Sequence, residues 1–103
     1  MERASPISFP KDEWDAIEAR IAEGKVSFTI RVSNELGKYS EGSVYITEWG
    51  RRVKILSVKR ISDGIKELEN AYEHFSELTP AMVKALSPFQ NMEIITFLTA
   101  ASK

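Results

Sequence analysis

The sequence contains no cysteine and one histidine, His74. Without cysteine the chain has no disulfide, no thiolate ligand for zinc and no cysteine nucleophile, and one histidine excludes any site that needs two from this chain. These absences remove most metalloenzymes and most triad hydrolases from consideration. We therefore expect a protein that uses neither a metal nor a cofactor.

Long apolar runs are also missing. No stretch reaches the roughly 18 apolar residues of a membrane span, and residues 1–6 are too polar for a signal peptide. Of the 103 residues, 43% are hydrophobic and 28% are charged. This composition is typical of a soluble globular protein, so we predict one domain over residues 1–103, in the cytoplasm and without a membrane partner.

Positive and negative charges are nearly equal in number but unevenly distributed along the chain. The net charge is -1, whereas a general nucleic-acid coat is basic overall. Residues 51–60 contain five basic residues and no acidic one, while residues 63–77 contain five acidic residues and one lysine. The two interpretations are a local positive surface and the ordinary solvated faces of a strand and a helix.

Alternating and helical spacings of apolar residues predict the element order β-α-β-β-β-α-α-β. The elements are a strand at 7–9, a helix at 12–23, strands at 25–32, 43–49 and 51–61, two helices starting at Ser62 or Asp63 and at Thr79-Pro80, and a strand at 92–98. Mixed alternation within 51–61 indicates a β-bulge. The fold class is α+β, with about five strands curled into a small, partly open mixed β-barrel with flanking helices; a flatter sheet is the alternative.

The clearest strand is 25–32, because its residue types alternate without interruption. One face carries the apolar residues at 26, 28, 30 and 32, and the other carries Lys25, Ser27, Thr29 and Arg31. Two cations and two hydroxyls exceed what solubility requires. This polar face is therefore the first candidate for a ligand site, with a solvated strand face as the simpler interpretation.

From about Ile7 to Leu98 the chain resembles the ASCH domain, a PUA-like β-barrel family. The resemblance rests on a helix ending at Gly24, the strand to Arg31, the turn at Gly42 and the basic hairpin strand. The family pattern has a lysine two residues after the glycine and an arginine seven residues after it. Gly24 and Arg31 match, but Val26 holds the lysine position. The resemblance implies a cleft beside strand 25–32 for RNA or a nucleoside-like ligand.

Small bacterial members of this family are amidohydrolases that remove the acetyl group from acetylcytidine. The resemblance implies Thr29 as nucleophile or oxyanion support, Lys25 as activating amine, and Glu73 or His74 as acid–base partner on a helix. A bulge near Gly24 would turn Lys25 inward. Two alternatives to a binding domain therefore stay open: this hydrolase, and a non-catalytic protein-interaction module.

Further ligand contacts are expected from aromatic and basic residues near the same strand. Aromatic side chains stack on bases and cations attract phosphates. The predicted ligand-binding residues are Lys25, Ser27, Thr29, Arg31, Tyr39, Trp49, Arg51, Arg52 and Lys54. Trp49 is the preferred surface aromatic because it adjoins the predicted turn at Gly50, whereas packing is the simpler role for Tyr45. The expected partner is RNA or a modified nucleoside.

Overall fold

The computed structural model describes residues 5–99 of the chain. Over this range it has the predicted α+β class and the predicted element order. The elements are β1 (Ser5–Pro6), α1 (Trp14–Ala22), β2 (Ser27–Val32), β3 (Val44–Ile46), β4 (Arg52–Ile61), α2 (Gly64–Ala71), α3 (Pro80–Leu86) and β5 (Met92–Thr99). Three 3-10 turns cover Lys11–Glu13, Ser33–Glu35 and Phe75–Glu77.

The five strands form one mixed sheet in the order β1-β3-β4-β5-β2. β1 pairs in parallel with β3, and every other pairing is antiparallel. β5 therefore lies in the middle, between β4 and β2. Within residues 5–99, β1 and β2 are the two edges, so the described sheet is open and the predicted partly open barrel stays a prediction.

Two apolar clusters cover the two faces of this sheet. On the first, which we call the α1 face, Ile17 and Ile21 of α1 pack with Ile55 and Phe97. On the second, the α2–α3 face, Leu68 of α2 packs with residues of β4 and β5, and α3 closes the cluster at its rim. Because strand residues alternate between faces, the sheet is buried on both sides where β5 meets its neighbours.

The first strand is displaced from its predicted place at 7–9. Paired residues are Ser5 and Pro6, although the Ile7 N–H still donates to the Ile46 carbonyl at 2.9 Å. Ile7 and Phe9 are both buried. Their alternation reflects burial against the α1 face, which an extended segment achieves without ladder pairing.

β4 contains the predicted bulge. Ile55 pairs with Phe97 and Ser57 with Thr96, so Leu56 has no partner on β5 and its side chain is exposed. The extra residue resets the alternation, because two residues of β4 oppose one of β5. As a result Val58 packs on the α1 face, and Ile61 reaches the α2–α3 face.

Local signals place most helix ends. Gly24 follows α1 with a φ of +75°, a conformation that glycine adopts without strain. Thr79 Oγ1 accepts a hydrogen bond from the Met82 N–H at 3.2 Å, and Pro80 opens α3 as predicted. Asp12, at the start of the helix predicted for 12–23, does not cap α1, because a 3-10 turn precedes α1 without a side-chain cap. No helix within residues 5–99 is long and apolar enough to span a membrane.

A candidate ligand cleft at the edge of β2

A cleft of about 340 Å³ runs along the free edge of β2. Residues 28–32 all line it, so both faces of the strand contribute. Within the described residues 5–99, β2 pairs with β5 on one side only. In an antiparallel edge strand every second residue keeps its backbone N–H and C=O free of a strand partner. The cleft therefore has unpaired peptide groups along one side.

The helical wall of the cleft is apolar. It consists of Tyr72 at the end of α2, Leu78 before α3, and Met82 and Leu86 on α3. The Thr79 cap fixes the start of α3, and Met82 is one of the exposed large apolar side chains. This wall offers a nonpolar surface to a flat ring.

The opposite wall brings two carboxyl groups to the cleft, Glu13 and Glu35, beside Pro10. Glu13 lies in the turn that leads into α1. Glu35 returns toward β2 because Ser33, directly after the strand, has a φ of +59°. This left-handed residue reverses the chain at once. The polar groups of the cleft therefore come from two segments far apart in sequence.

Arg31 lies between these walls and is 9% exposed. Its Nη2 donates to the Ser8 carbonyl at 2.8 Å, and its Nη1 pairs with Glu35 Oε1 at 3.2 Å. The guanidinium stacks over the rings of Phe9 and Tyr39 at 5.0 and 5.2 Å. Its Nε is buried and has no partner among the described atoms. A buried cation held this way has a fixed position.

The two carboxyl groups have pKa values displaced in opposite directions. A hydrogen bond from Lys38, helped by one from Tyr39, lowers the pKa of Glu35. Burial, followed by the charge of Asp12, raises the pKa of Glu13, although Arg31 opposes that rise. Glu35 is therefore the more firmly ionised group, and Glu13 accepts a proton more readily.

The four predicted catalytic residues are not brought together. Thr29 lines the cleft. Lys25 precedes β2, is exposed, and its Nζ lies 3.0 Å from Glu23 Oε1. No lysine is found among the described residues that line the cleft.

The predicted helical position of Glu73 and His74 is wrong, because α2 ends at Ala71 and Tyr72 is extended. The His74 ring packs on Phe28 with 4.4 Å between centroids, and its Nδ1 lies 2.8 Å from Glu77 Oε2. Glu73 is exposed beside it. Neither residue lines the cleft; His74 instead packs against Phe28, which does line it.

The predicted ligand-binding residues divide into two groups. Arg31 and Thr29 line the cleft, and Tyr39 supports it from behind through its hydroxyl, which donates to Glu35 Oε1 at 3.1 Å. Ser27 is buried under α1, away from the cleft lining, and its Oγ has no partner among the described atoms.

The remaining predicted contacts lie elsewhere. Trp49 packs against Trp14 with 5.3 Å between centroids and donates to Glu18 Oε1 at 2.8 Å, so its ring does not line the cleft. Glu18 also holds Arg51, whose Nε lies 3.1 Å away. Arg52 and Lys54 are exposed on β4, two strands from β2.

Glu13 and Glu35 were absent from the predicted site. In the sequence Glu13 is accounted for by the first turn of a helix, where acidic residues are favoured. Glu35 follows Arg31 by four residues, a spacing that pairs charges within a helix but not across a strand end. The turn directly after Val32 is the feature that brings Glu35 back to Arg31.

No protein-family model, curated protein or solved structure matches the chain. Among the described residues no group of three histidine, aspartate or glutamate side chains is placed to hold a metal ion. The ASCH resemblance therefore stays a prediction from the sequence, and the site is interpreted from its own geometry.

Proposed function

We propose that the protein is an ASCH-type, PUA-like domain that binds RNA or a nucleoside-like ligand in the cleft beside β2. The observation that carries this proposal is the position of Thr29 and Arg31. The family resemblance assigns both residues to the ligand site, and both line the cleft.

The barrel belongs to the same proposal. The sheet edges are β1 and β2, and the Ser8 carbonyl two residues after β1 accepts the hydrogen bond from Arg31 of β2. This side-chain bridge links the two edges across the α1 face. It supports a sheet curled toward a PUA-like barrel, with Arg31 spanning the gap where strand pairing stops.

The chemistry of the cleft suits a flat ring with a polar edge. Its volume lies at the small end of the range for ligand sites, about 300–1,000 Å³. The helical wall supplies apolar contact, while Thr29, Glu13 and the free peptide groups of β2 supply hydrogen-bonding partners. A nucleobase combines these two requirements, because its faces are apolar and its edge carries donors and acceptors.

The geometry favours binding over acetyl removal. A threonine nucleophile needs an adjacent base or a lowered pKa. Within residues 5–99 no side-chain hydrogen bond joins Thr29 to another group, and Lys25 is directed to Glu23. We therefore expect acetylcytidine to bind without releasing cytidine.

A matched pair of α3 variants tests the proposal. Ala85 lines the cleft, whereas Ala81 is exposed on the same helix outside the lining. Ala85→Trp should fill the cleft and weaken cytidine or acetylcytidine binding at least about tenfold, as calorimetry would measure, while Ala81→Trp should not. Chromatography of the same mixtures, with Thr29→Ala as control, detects any cytidine released.

Equal affinities of the two tryptophan variants would contradict a ligand site in this cleft. Release of cytidine that is lost in Thr29→Ala would replace the binding proposal with the hydrolase. If no nucleoside or RNA binds the unmodified chain, the protein-interaction module becomes the better proposal.

A further inference from the structure

Three cations of β4 form a row on the open part of the sheet. Arg52 pairs with Ile46, Lys54 pairs with Val44 and Leu98, and Lys59 pairs with Ile94. Since Ile94 belongs to the α2–α3 cluster, the register places all three cations on the α2–α3 face. We call Arg52, Lys54 and Lys59 the basic row.

The bulge at Leu56 produces this alignment. In an unbroken strand Lys54 and Lys59, five residues apart, would point to opposite faces. Because Leu56 has no partner on β5, Lys59 returns to the face that carries Lys54. The same shift moves Val58 into the core of the α1 face, so the burial of Val58 and the exposure of Lys59 are coupled.

Ion pairing separates the basic row from the other two cations of this segment. Arg51 pairs with Glu18, and Arg60 pairs with Glu93 on the α1 face at 2.9 Å. In residues 5–99 no carboxylate lies within ion-pair distance of Arg52, Lys54 or Lys59. Glu41 reaches the same strand, but its Oε2 accepts from the Val58 N–H.

The face around the row is only partly covered. Half-buried Val44, Ile46 and Leu98 flank Arg52 and Lys54 and are not part of the cluster beneath α2 and α3. Lys54 and Lys59 are exposed. The described part of the chain therefore has a strip of open sheet with three cations in line.

We propose that the basic row binds the phosphodiester backbone of a single nucleic-acid strand. From Arg52 to Lys59 the strand advances six ladder positions, about 20 Å at roughly 3.3 Å each. A line of unpaired cations complements a linear polyanion. A membrane surface is the less favoured partner, because within residues 5–99 Leu56 is the one exposed large apolar side chain on β4.

This inference stands apart from the proposed function of the cleft. A free nucleoside carries no phosphate and needs only the edge of β2, whereas the basic row lies beyond β5. Nucleoside binding and strand binding are therefore separate measurements. Failure of strand binding would overturn the basic row and leave a nucleoside as the ligand of the cleft, whereas failure of nucleoside binding would leave the basic row intact.

The experiment compares two double variants of equal charge. Lys54→Gln with Lys59→Gln removes two cations of the row, and Lys66→Gln with Lys84→Gln removes two exposed lysines of α2 and α3. Fluorescence anisotropy measures binding of a labelled oligouridylate and a labelled oligothymidylate at several salt concentrations. Vesicles with an anionic phospholipid form a third arm.

For the unmodified chain we expect log K to fall with log salt concentration at a slope of about -2, because each phosphate contact on a single strand contributes roughly 0.7. The row variant should flatten the slope by about 1.4 and weaken binding on the order of tenfold, while the helix variant keeps the slope. Tighter binding of RNA than of DNA would indicate contacts to the 2′-hydroxyl in addition.

Three outcomes would overturn the proposal. The first is no oligonucleotide binding by the unmodified chain at low salt. The second is an equal loss of slope in the row variant and the helix variant. The third is binding to anionic vesicles without binding to either oligonucleotide, which would assign the row to a lipid surface.

Discussion

The cations of β2 and β4 show how differently one sheet uses the same charge. Arg31 of β2 is almost fully buried, stacked on two rings and bonded to Glu35 and Ser8. Lys54 of β4 is exposed, without an ion-pair partner among the described residues. β2 fixes its cation in one place, where it shapes a cleft. β4 leaves Arg52, Lys54 and Lys59 exposed, and we propose that these three cations act together on a polyanion.

The difference follows from what covers each strand. A buried charge is stable only when it is paired and hydrogen-bonded, so the environment of Arg31 tolerates little change. An exposed charge costs almost nothing and contributes little to stability. Substitutions at Arg31 should therefore change folding, and substitutions in the basic row should change binding.

The largest effect is expected from deleting one residue of β4. Removing Lys54 breaks the alternation before the bulge and turns buried Val53 away from the core, which should lower the free energy of unfolding by more than about 3 kcal/mol. Removing Leu56 instead leaves a regular ladder with the same faces and should cost less than about 1 kcal/mol. Urea denaturation compares the two. Equal losses would mean that the bulge does not set the faces.

The second effect concerns the buried cation itself. Arg31→Met removes the donor to the Ser8 carbonyl and one of the three side-chain donors to Glu35, and should lower the free energy of unfolding by about 2 kcal/mol. Lys54→Met is the matched control, with an expected change within about 0.5 kcal/mol. Thermal and urea unfolding give both values. A control as destabilised as Arg31→Met would remove the contrast between the strands.

The third effect concerns Glu93, which lies on β5 directly between Arg31 and Arg60 in the register. It is 4% exposed, accepts from the Gly37 N–H and pairs with Arg60. Glu93→Gln keeps an acceptor but loses the charge, so we expect a loss of about 1 kcal/mol in unfolding free energy. Lower ionic strength should enlarge this loss. An unchanged unfolding free energy at low salt would show that the buried carboxylate acts only as a hydrogen-bond acceptor.

The smallest effect is a pair of opposite pH dependences beside Arg31. The pKa of Glu35 is lowered from its ordinary value of 4.5, so ionised Glu35 stabilises the fold at pH values above 4.5. This stabilisation is lost as pH falls through the lowered pKa. The raised pKa of Glu13 works the other way, because its contribution is present at low pH and lost as pH rises through the raised pKa.

At neutral pH Glu35→Gln should therefore be less stable than the unmodified chain, and Glu13→Gln more stable, each by less than about 1 kcal/mol. Between neutral and acidic pH both differences should shrink, because the two carboxyl groups take up protons in the folded and the unfolded chain as pH falls. Unfolding curves across this range measure the signs. Two shifts of the same sign would mean that the surroundings of the two carboxyl groups do not differ.

Local chemistry accounts for what the sequence predicted well. Gly24 and Thr79-Pro80 mark helix ends through φ and capping preferences that involve neighbours a few residues away. The bulge in β4 showed itself as a defect of alternation within one strand. Each of these features is contained in a short stretch of sequence.

The failures at the polar face of β2 concern contacts between distant segments. Burial of Ser27 and Arg31 depends on α1 and residues 7–9 crossing the polar face of β2. The alternation in 25–32 is the same whether that face meets solvent or another segment, so it predicted a strand but not its surroundings. The sequence therefore predicted the two cleft residues on the strand, Thr29 and Arg31, but not the two carboxyl groups, Glu13 and Glu35.

The central place of β5 also bears on how the chain reaches its fold. Thr29 pairs with Ile95, 66 positions later (95 minus 29). At about 5–20 residues per second, a ribosome needs roughly 3–13 s to make that stretch. Throughout that interval both edges of β2 lack a strand partner, and β4 has none on its β5 side. Nascent chains therefore expose unpaired, aggregation-prone strand edges for seconds. Chaperone binding during synthesis would be an advantage for this topology.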